Sequence, residues 1–225
     1  METRGRSGEL TEHIRNAQLA TWDSVAGHFG RYELLLPGQP SFVCLASECP
    51  AHCCRKYSVS LGEAEVERMT RASGLAPLHF LECEDGEPIA LALAQPYLLA
   101  RRDGACALLG PDLLCGQYEG RPDACRQYPH HVLFIDRDES KPVYGDLARM
   151  AQAMAWLEPK PAIEPKCMPL LVRHLDCPGF GGPPLSYADW LVLMHETTYL
   201  QYAQLRPDIA SAAHAGVLDS NHGEG

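Results

Sequence analysis

The chain has 225 residues, 46% hydrophobic and 21% charged, which suits one soluble domain with room for a sizeable core. Nineteen basic against 29 acidic residues leave a net charge of −10, which argues against nucleic acid or an anionic membrane as partner, since either needs a basic face. The first ten residues lack an apolar signal stretch and no run reaches the roughly 18 apolar residues of a membrane span, so a cytoplasmic protein is expected. In that reducing compartment the ten cysteines call for an explanation other than disulfides.

Residues 9–28 carry Leu10, Ile14, Leu19, Trp22 and Val25 at near-helical spacing, which predicts an amphipathic helix. A β-type run over 32–36 stops at Pro37-Gly38, and a turn-rich segment with Pro50 inside it then holds the first cysteines. Ser60 followed by Glu63 reads as a capping box opening a helix over 61–73. Apolar runs at 89–93 and 97–100 read as strands before a turn at Asp103-Gly104, and 106–109 with 113–118 as a hairpin around Gly110-Pro111.

Pro122 is placed to open a short helix carrying Cys125 and Arg126. Residues 131–135 are β-type, 147–157 helical, and 159–184 a proline-rich loop interrupted by the apolar run 170–175. Ser186 can cap a last helix to about residue 205, with Leu191, Met194 and Tyr202 inward. The expected class is α+β: a single loop-rich domain over 1–206, helices around short antiparallel strands and a cysteine-built metal site, followed by a disordered tail over 207–225.

Cys44, Cys49, Cys53 and Cys54 form a tight cluster with gaps of four, three and no residues. Cys106, Cys115 and Cys125 form a looser one, and Cys177 follows within Asp176-Cys177-Pro178-Gly179. Thiolates crowded in this way repel one another unless a soft cation or cluster neutralises them. The paired knuckles of structural zinc sites are absent, and proline directly after Cys49 and Cys177 is a ferredoxin-like touch, so the spacing favours iron–sulfur over zinc. A four-thiolate set of this kind suits a 4Fe–4S cluster. The eight thiols suit either two four-ligand sites or one cluster with residues to spare. Cys83 and Cys167 stand outside both groups and read as small packed hydrophobes.

The run from Cys106 to Pro129, with Arg121-Pro122-Asp123-Ala124-Cys125-Arg126-Gln127-Tyr128-Pro129 at its end, resembles the hallmark of the YkgJ-type cysteine-cluster proteins. That group is described as chelating zinc or iron and includes the flagellin lysine N-methylases. Cys53-Cys54 matches the end of the group's early knot, and Cys177-Pro178-Gly179 its later Cys-Pro-Gly, so the resemblance spans residues 44–182. The knot in that group more often has gaps of three and two residues, against four and three here. The resemblance implies metal binding, with S-adenosylmethionine as a further cofactor if the methylase branch applies.

Arg121 and Arg126 flank Cys125 and read as cofactor-side cations that offset thiolate charge, or as partners of carboxylates that hold the loop. His52 lies inside the knot and reads as a neighbour of the site more than a ligand; His130 and His131 open a strand and are expected on opposite faces. No phosphate-binding glycine loop, nucleophile elbow, His-Glu-x-x-His or radical-type Cys-x3-Cys-x2-Cys is present. Two functions fit: a redox or accessory metal protein with a protein partner, or an S-adenosylmethionine-dependent N-methyltransferase acting on lysine in a protein substrate. The catalytic residues of the second are unknown, with Glu48 and Tyr128 the nearest candidates for a base.

Overall fold

Strands β8 (His130–Asp136) and β10 (Cys167–His174) are buried along almost their whole length, because each is covered on both faces. They pair antiparallel at the centre of a four-stranded sheet of order β1-β10-β8-β9, flanked by β1 (Tyr32–Leu34) and β9 (Lys141–Pro142). The computed structural model describes residues 3–46, 48–158 and 164–202, with side chains from residue 12 onward. Helices α1 (Thr3–Val25) and α5 (Leu147–Ala155) pack on β10, and α6 (Tyr187–Tyr202) packs on β8. The 3₁₀ turn Ala26–His28 ends α1.

The inward face of α1 holds Ile14, Ala17 and Val25, with Leu19 and Trp22 partly buried beside them. Leu10 lies outside the residues whose side chains are described. As expected, Ser186 caps α6: its hydroxyl oxygen accepts the Asp189 N–H at 3.1 Å. Trp190 on that helix is fully buried and donates its indole N–H to the Leu35 carbonyl at 2.8 Å. The last residues expected for this helix, and the tail over 207–225, lie outside the described residues.

β10 corrects the expectation of a loop over 159–184 interrupted only at 170–175. It is the longest strand described, and Pro169 sits inside it. Bonds from the Arg137 N–H to the Lys166 carbonyl and from the His174 N–H to the Pro129 carbonyl fix which residues face β8. By alternation Pro169 faces the other way, past the end of β1, where no strand partner misses its N–H. Its carbonyl takes the buried amide of Gln18 at 2.8 Å. On the opposite edge, where β9 is too short to reach, the Gln201 amide accepts the Val132 N–H at 3.0 Å and donates to the Val132 carbonyl at 2.9 Å.

The remaining elements are small. Helices α2 (His52–Lys56), α3 (Glu63–Ser73) and α4 (Asp123–Gln127) surround three two-stranded pairs. These are β2 (Ser60–Leu61) with β5 (Tyr97–Leu98), β3 (Cys83–Glu84) with β4 (Glu87–Pro88), and β6 (Arg101–Arg102) with β7 (Ala105–Cys106). Two of the hairpins turn on Asp-Gly with both residues at positive φ, the mirror-image turn that matches strand twist. Leu61, Met69, Phe80, Leu81 and Leu99 form a second, much smaller core here. The class is α+β, as expected.

Three local expectations change. Ser60 lies in β2, and α3 is capped instead at Gly62, whose N–H donates to the Glu65 carboxylate at 2.9 Å. Residues 89–93 form no strand; the pairing ends at Pro88. The hairpin expected at 106–118 is an irregular loop with one bridge, Leu109 to Cys115, shaped by Leu113 at φ +63°.

Candidate metal centre

The clustered cysteines are delivered by several separate local devices. Cys44 follows the run 41–43, which lies against 179–183: the Val43 N–H donates to the Gly179 carbonyl at 2.7 Å and the Gly182 N–H to the Ser41 carbonyl at 3.1 Å. This approach needs glycine, since a Cβ at Gly179 would fall 2.6 Å from the Val43 carbonyl oxygen, and one at Gly182 2.5 Å from the Ser41 hydroxyl. The clasp sets Cys44 beside Cys177, which leaves the end of β10. Ala51, at φ +55°, turns the chain after Cys49-Pro50 into α2, so that Cys53 and Cys54 stand side by side on one helical turn.

Arg101 clamps α2 to the β6–β7 hairpin that ends in Cys106, donating to the carbonyls of Tyr57 and Gly104 (2.6 Å each) and Arg55 (2.5 Å). Lys56 is ion-paired with Asp176, tying the same helix to the Cys177 segment. Cys125 rides on α4, which is stapled to α3. The buried Glu65 carboxylate accepts the Asp123 N–H at 2.7 Å, and Arg68 donates to Asp123 at 2.7 Å and to the Arg121 carbonyl at 3.1 Å. None of these clamps was anticipated from sequence. The spacing Gly62-x2-Glu65-x2-Arg68 was the available hint, visible once the helix start is placed correctly.

The eight cysteines border two cavities that share Cys53 and Cys125 in their linings. A smaller one, about 60 Å³, is bordered by Cys53, Cys54, Cys106, Cys115 and Cys125 among apolar neighbours such as Val59, Leu99 and Leu108. A larger and more open one, about 430 Å³, is bordered by Cys44, Cys49, Cys53, Cys125 and Cys177. Arg121 borders both and Arg126 only the larger, where Arg126 also pairs with Asp123 at 3.5 Å. Cys167 is buried in the sheet core and Cys83 sits in the β3–β4 hairpin, both away from these cavities.

Among the described residues no three Cys, His, Asp or Glu side chains stand close enough to hold one ion as placed, so the sulfurs would have to move inward to ligate one. The electrostatics favour that. Burial, followed by neighbouring thiols, pushes the Cys44 thiol above its ordinary range and Cys125 up to about 12. Burial also raises Cys106 and Cys177. At Cys53 the thiolate is favoured instead, chiefly by hydrogen bonding with Cys54, whose sulfur lies 3.9 Å away. Arg121 acts against the rise at Cys44 and Cys125, in line with a charge-offsetting cation. A set that cannot ionise together without added positive charge is suited to a soft cation.

Two residues that border the larger cavity, Tyr128 and His130, each carry a fully buried polar atom with no hydrogen-bond partner, the phenol oxygen and Nε2. Burial, then Cys177, raises the Tyr128 phenol far above its usual value, so it is a donor and not a base at neutral pH. Glu48, the other candidate base, is exposed and borders neither cavity. His52 opens α2 and also borders neither. His130 and His131 do lie on opposite faces, His130 against Phe42 and Phe180 and His131 against Tyr32. Both nonetheless border a third cavity, about 300 Å³, with Tyr57 and His174, because it reaches both sides of the strand's start.

Residues 43–155 match the family model CxxCxxCC, described as a "Putative zinc- or iron-chelating domain". The chain belongs to this family. The match takes in seven of the eight clustered cysteines and stops short of Cys177. It reaches the cysteine-cluster group without bearing on the flagellin methylases. The family's name gives gaps of two and two residues in the knot, not the three and two expected above; this chain has four and three, and its second gap holds Pro50 and the left-handed Ala51. No curated protein and no solved structure matches the chain. No helix among the described residues is long and apolar enough to cross a membrane.

Proposed function

We propose that this member of the zinc- or iron-chelating family holds an iron–sulfur cluster through its clustered cysteines and serves as a redox or accessory protein. The observation that carries the reading is the gathering of eight cysteines, from segments as distant in sequence as residues 44 and 177, along two cavities that share Cys53 and Cys125. A lone zinc ion is held by four thiolates at about 2.3 Å and fills little space. The larger cavity offers more room than that.

The eight cysteines would be the ligands, with Arg121 and Arg126 as flanking cations that offset thiolate charge. A bound cluster would supply one-electron transfer. The chain's own part is to hold the sulfurs: Arg101, Lys56 and the Glu65–Arg68 staple keep the loops that carry them in place.

The test is anaerobic purification of the full chain with iron, zinc and acid-labile sulfide measured per chain. Iron with matching sulfide is expected. Zinc without sulfide would overturn the cluster and keep chelation, and neither metal would overturn both. Calorimetric titration of the loaded protein with S-adenosylmethionine addresses the methyltransferase alternative, and no heat of binding is expected.

A further inference from the structure

The third cavity, about 300 Å³, differs in kind from the two that the eight cysteines border. Its lining holds three tyrosines and three histidines but no lysine, arginine, aspartate or glutamate, in a chain that is 21% charged. Arg31, Lys56 and Asp176 are neighbours in sequence of residues that border it, yet stand outside the lining. The volume falls at the lower end of the range for small-molecule pockets. Only Cys53 and Cys125 connect it to the metal site; holding a metal makes no use of the rest.

The rings that border it brace one another. His174, 5% exposed, is the hub: its ring centroid lies 5.2 Å from that of Tyr32, 5.6 Å from Tyr57 and 5.8 Å from Tyr128. Tyr57 meets Tyr128 at 5.8 Å, and Tyr32 meets His131 at 5.9 Å. All five border the cavity. Side chains packed on each other in this way are already ordered, so a ligand has little ordering entropy to overcome. A flat ring gains most from such a wall, because offset and edge-to-face contacts are open to it.

The polar complement is one-sided. The Asp176 N–H donates to Nδ1 of His174 at 3.3 Å, so in the neutral ring Nε2 carries the hydrogen and donates to the Tyr57 hydroxyl at 2.5 Å. That leaves the hydrogen of Tyr57 itself free to donate. The hydroxyls of Tyr32 and Ser58 have no hydrogen-bond partner among the described residues. Three hydroxyls can therefore donate, and no carboxylate in the lining competes to accept. Carbonyl oxygens on a ligand answer them, whereas a formal charge would be desolvated here without a counter-ion.

From this we infer that the third cavity binds a flat, uncharged ring carrying carbonyl oxygens, of the flavin or quinone type, beside Cys53 and Cys125. Binding of the ring does not itself require the metal. That it would lie next to a redox centre rests on the iron–sulfur reading above.

The test is equilibrium dialysis of the anaerobically purified full chain against lumiflavin, duroquinone and tetramethylammonium. Duroquinone is fully substituted and offers thiols no ring position to add to. Metal and sulfide per chain are measured on the same samples. One or both rings are expected to bind, lumiflavin marking a fused heterocycle and duroquinone a quinone, with no binding of tetramethylammonium. Tyr32→Leu removes a ring and a hydroxyl and is expected to weaken binding at least about tenfold with metal content unchanged. Tyr144→Leu, at an exposed tyrosine outside the cavity, is expected to bind like the parent. If Tyr32→Leu is recovered unfolded, Tyr32→Phe and Tyr57→Phe decide, each expected to bind about threefold to tenfold more weakly. Equal binding by the folded variants, or tetramethylammonium bound in preference to either ring, would overturn the assignment. A chain with iron and sulfide that binds neither ring keeps the cluster reading and loses this one; ring binding without metal does the reverse.

Discussion

Replacing Glu65 with alanine tests whether the cysteine-bearing region is held by the staple between α3 and α4. The Glu65 carboxylate is 1% exposed and accepts two backbone N–H groups, from Gly62 at 2.9 Å and Asp123 at 2.7 Å. Truncation leaves both donors buried, at about 1–3 kcal/mol each, while Arg68 keeps Asp123 as a partner. The sum is a loss of about 2–6 kcal/mol, which overlaps the range for breaking a buried charged network. Glu65→Gln keeps the shape and one acceptor, and is expected to cost about half as much. Urea unfolding of the metal-free protein, at constant m-value, reads the loss. The labelling rate of Cys125 reads the local effect, since α4 loses its anchor to α3. A Glu65→Ala variant within about 1 kcal/mol of the parent, with Cys125 labelled no faster, would refute the reasoning.

Acid should destabilise the metal-free protein well before carboxylates titrate. Burial lowers both His130 and His131 to about 4, and His131 has amide NH2 groups of Gln127 and Gln201 at its two ring nitrogens, which disfavour an added proton. A lowered histidine contributes stability that is complete above the unfolded value near 6.5 and is lost as pH falls toward 4. The two together give a slope of about 2.7 kcal/mol per pH unit across that window. Stability measured by urea that stays flat from pH 6.5 to 4.5 would rule this out. Separately, Gly179→Ala forces a Cβ to within 2.6 Å of the Val43 carbonyl oxygen and 2.7 Å of the Phe42 ring. It should open the clasp beside Cys44 and Cys177, lower stability by about 1–3 kcal/mol and reduce metal content; unchanged metal per chain would count against the clasp.

The parts legible in the sequence were those with a local cause. The apolar periodicity of α1, the Ser186 cap, the β-run of β8 and Pro122 at the mouth of α4 all formed where expected, because each depends on neighbours within a turn or two. β10 was hidden because Pro169 and the surrounding prolines look like loop; only the early end of β1 and the amide of Gln18 make that proline tolerable, and both are tertiary facts. The capping residue was misplaced by two positions since Ser60 has the better cap chemistry, yet its backbone is committed to β2. Composition pointed to the eight cysteines, but their sorting around two cavities could not be read from spacing: Cys53 and Cys54 are adjacent in sequence and differ in which walls they form.

That sorting coincides with an uneven distribution of core. Twenty-three buried residues fill the sheet-and-helix half, whereas the region from α2 to α4 that carries most of the cysteines has a cluster of only five. Short two-residue strands and five-residue helices give little cooperative backbone support of their own. Small modules with so thin a core usually depend on disulfides or a metal, and the binding free energy of the metal is then part of the folding free energy of that region. Removing metal should therefore leave β8 and β10 protected in hydrogen exchange while the amides of α2, α4 and the β6–β7 hairpin exchange rapidly, and restoring metal should slow the second set alone. If protection rises and falls evenly across both halves, the two form one cooperative unit, and the metal is not what stands in for the missing core.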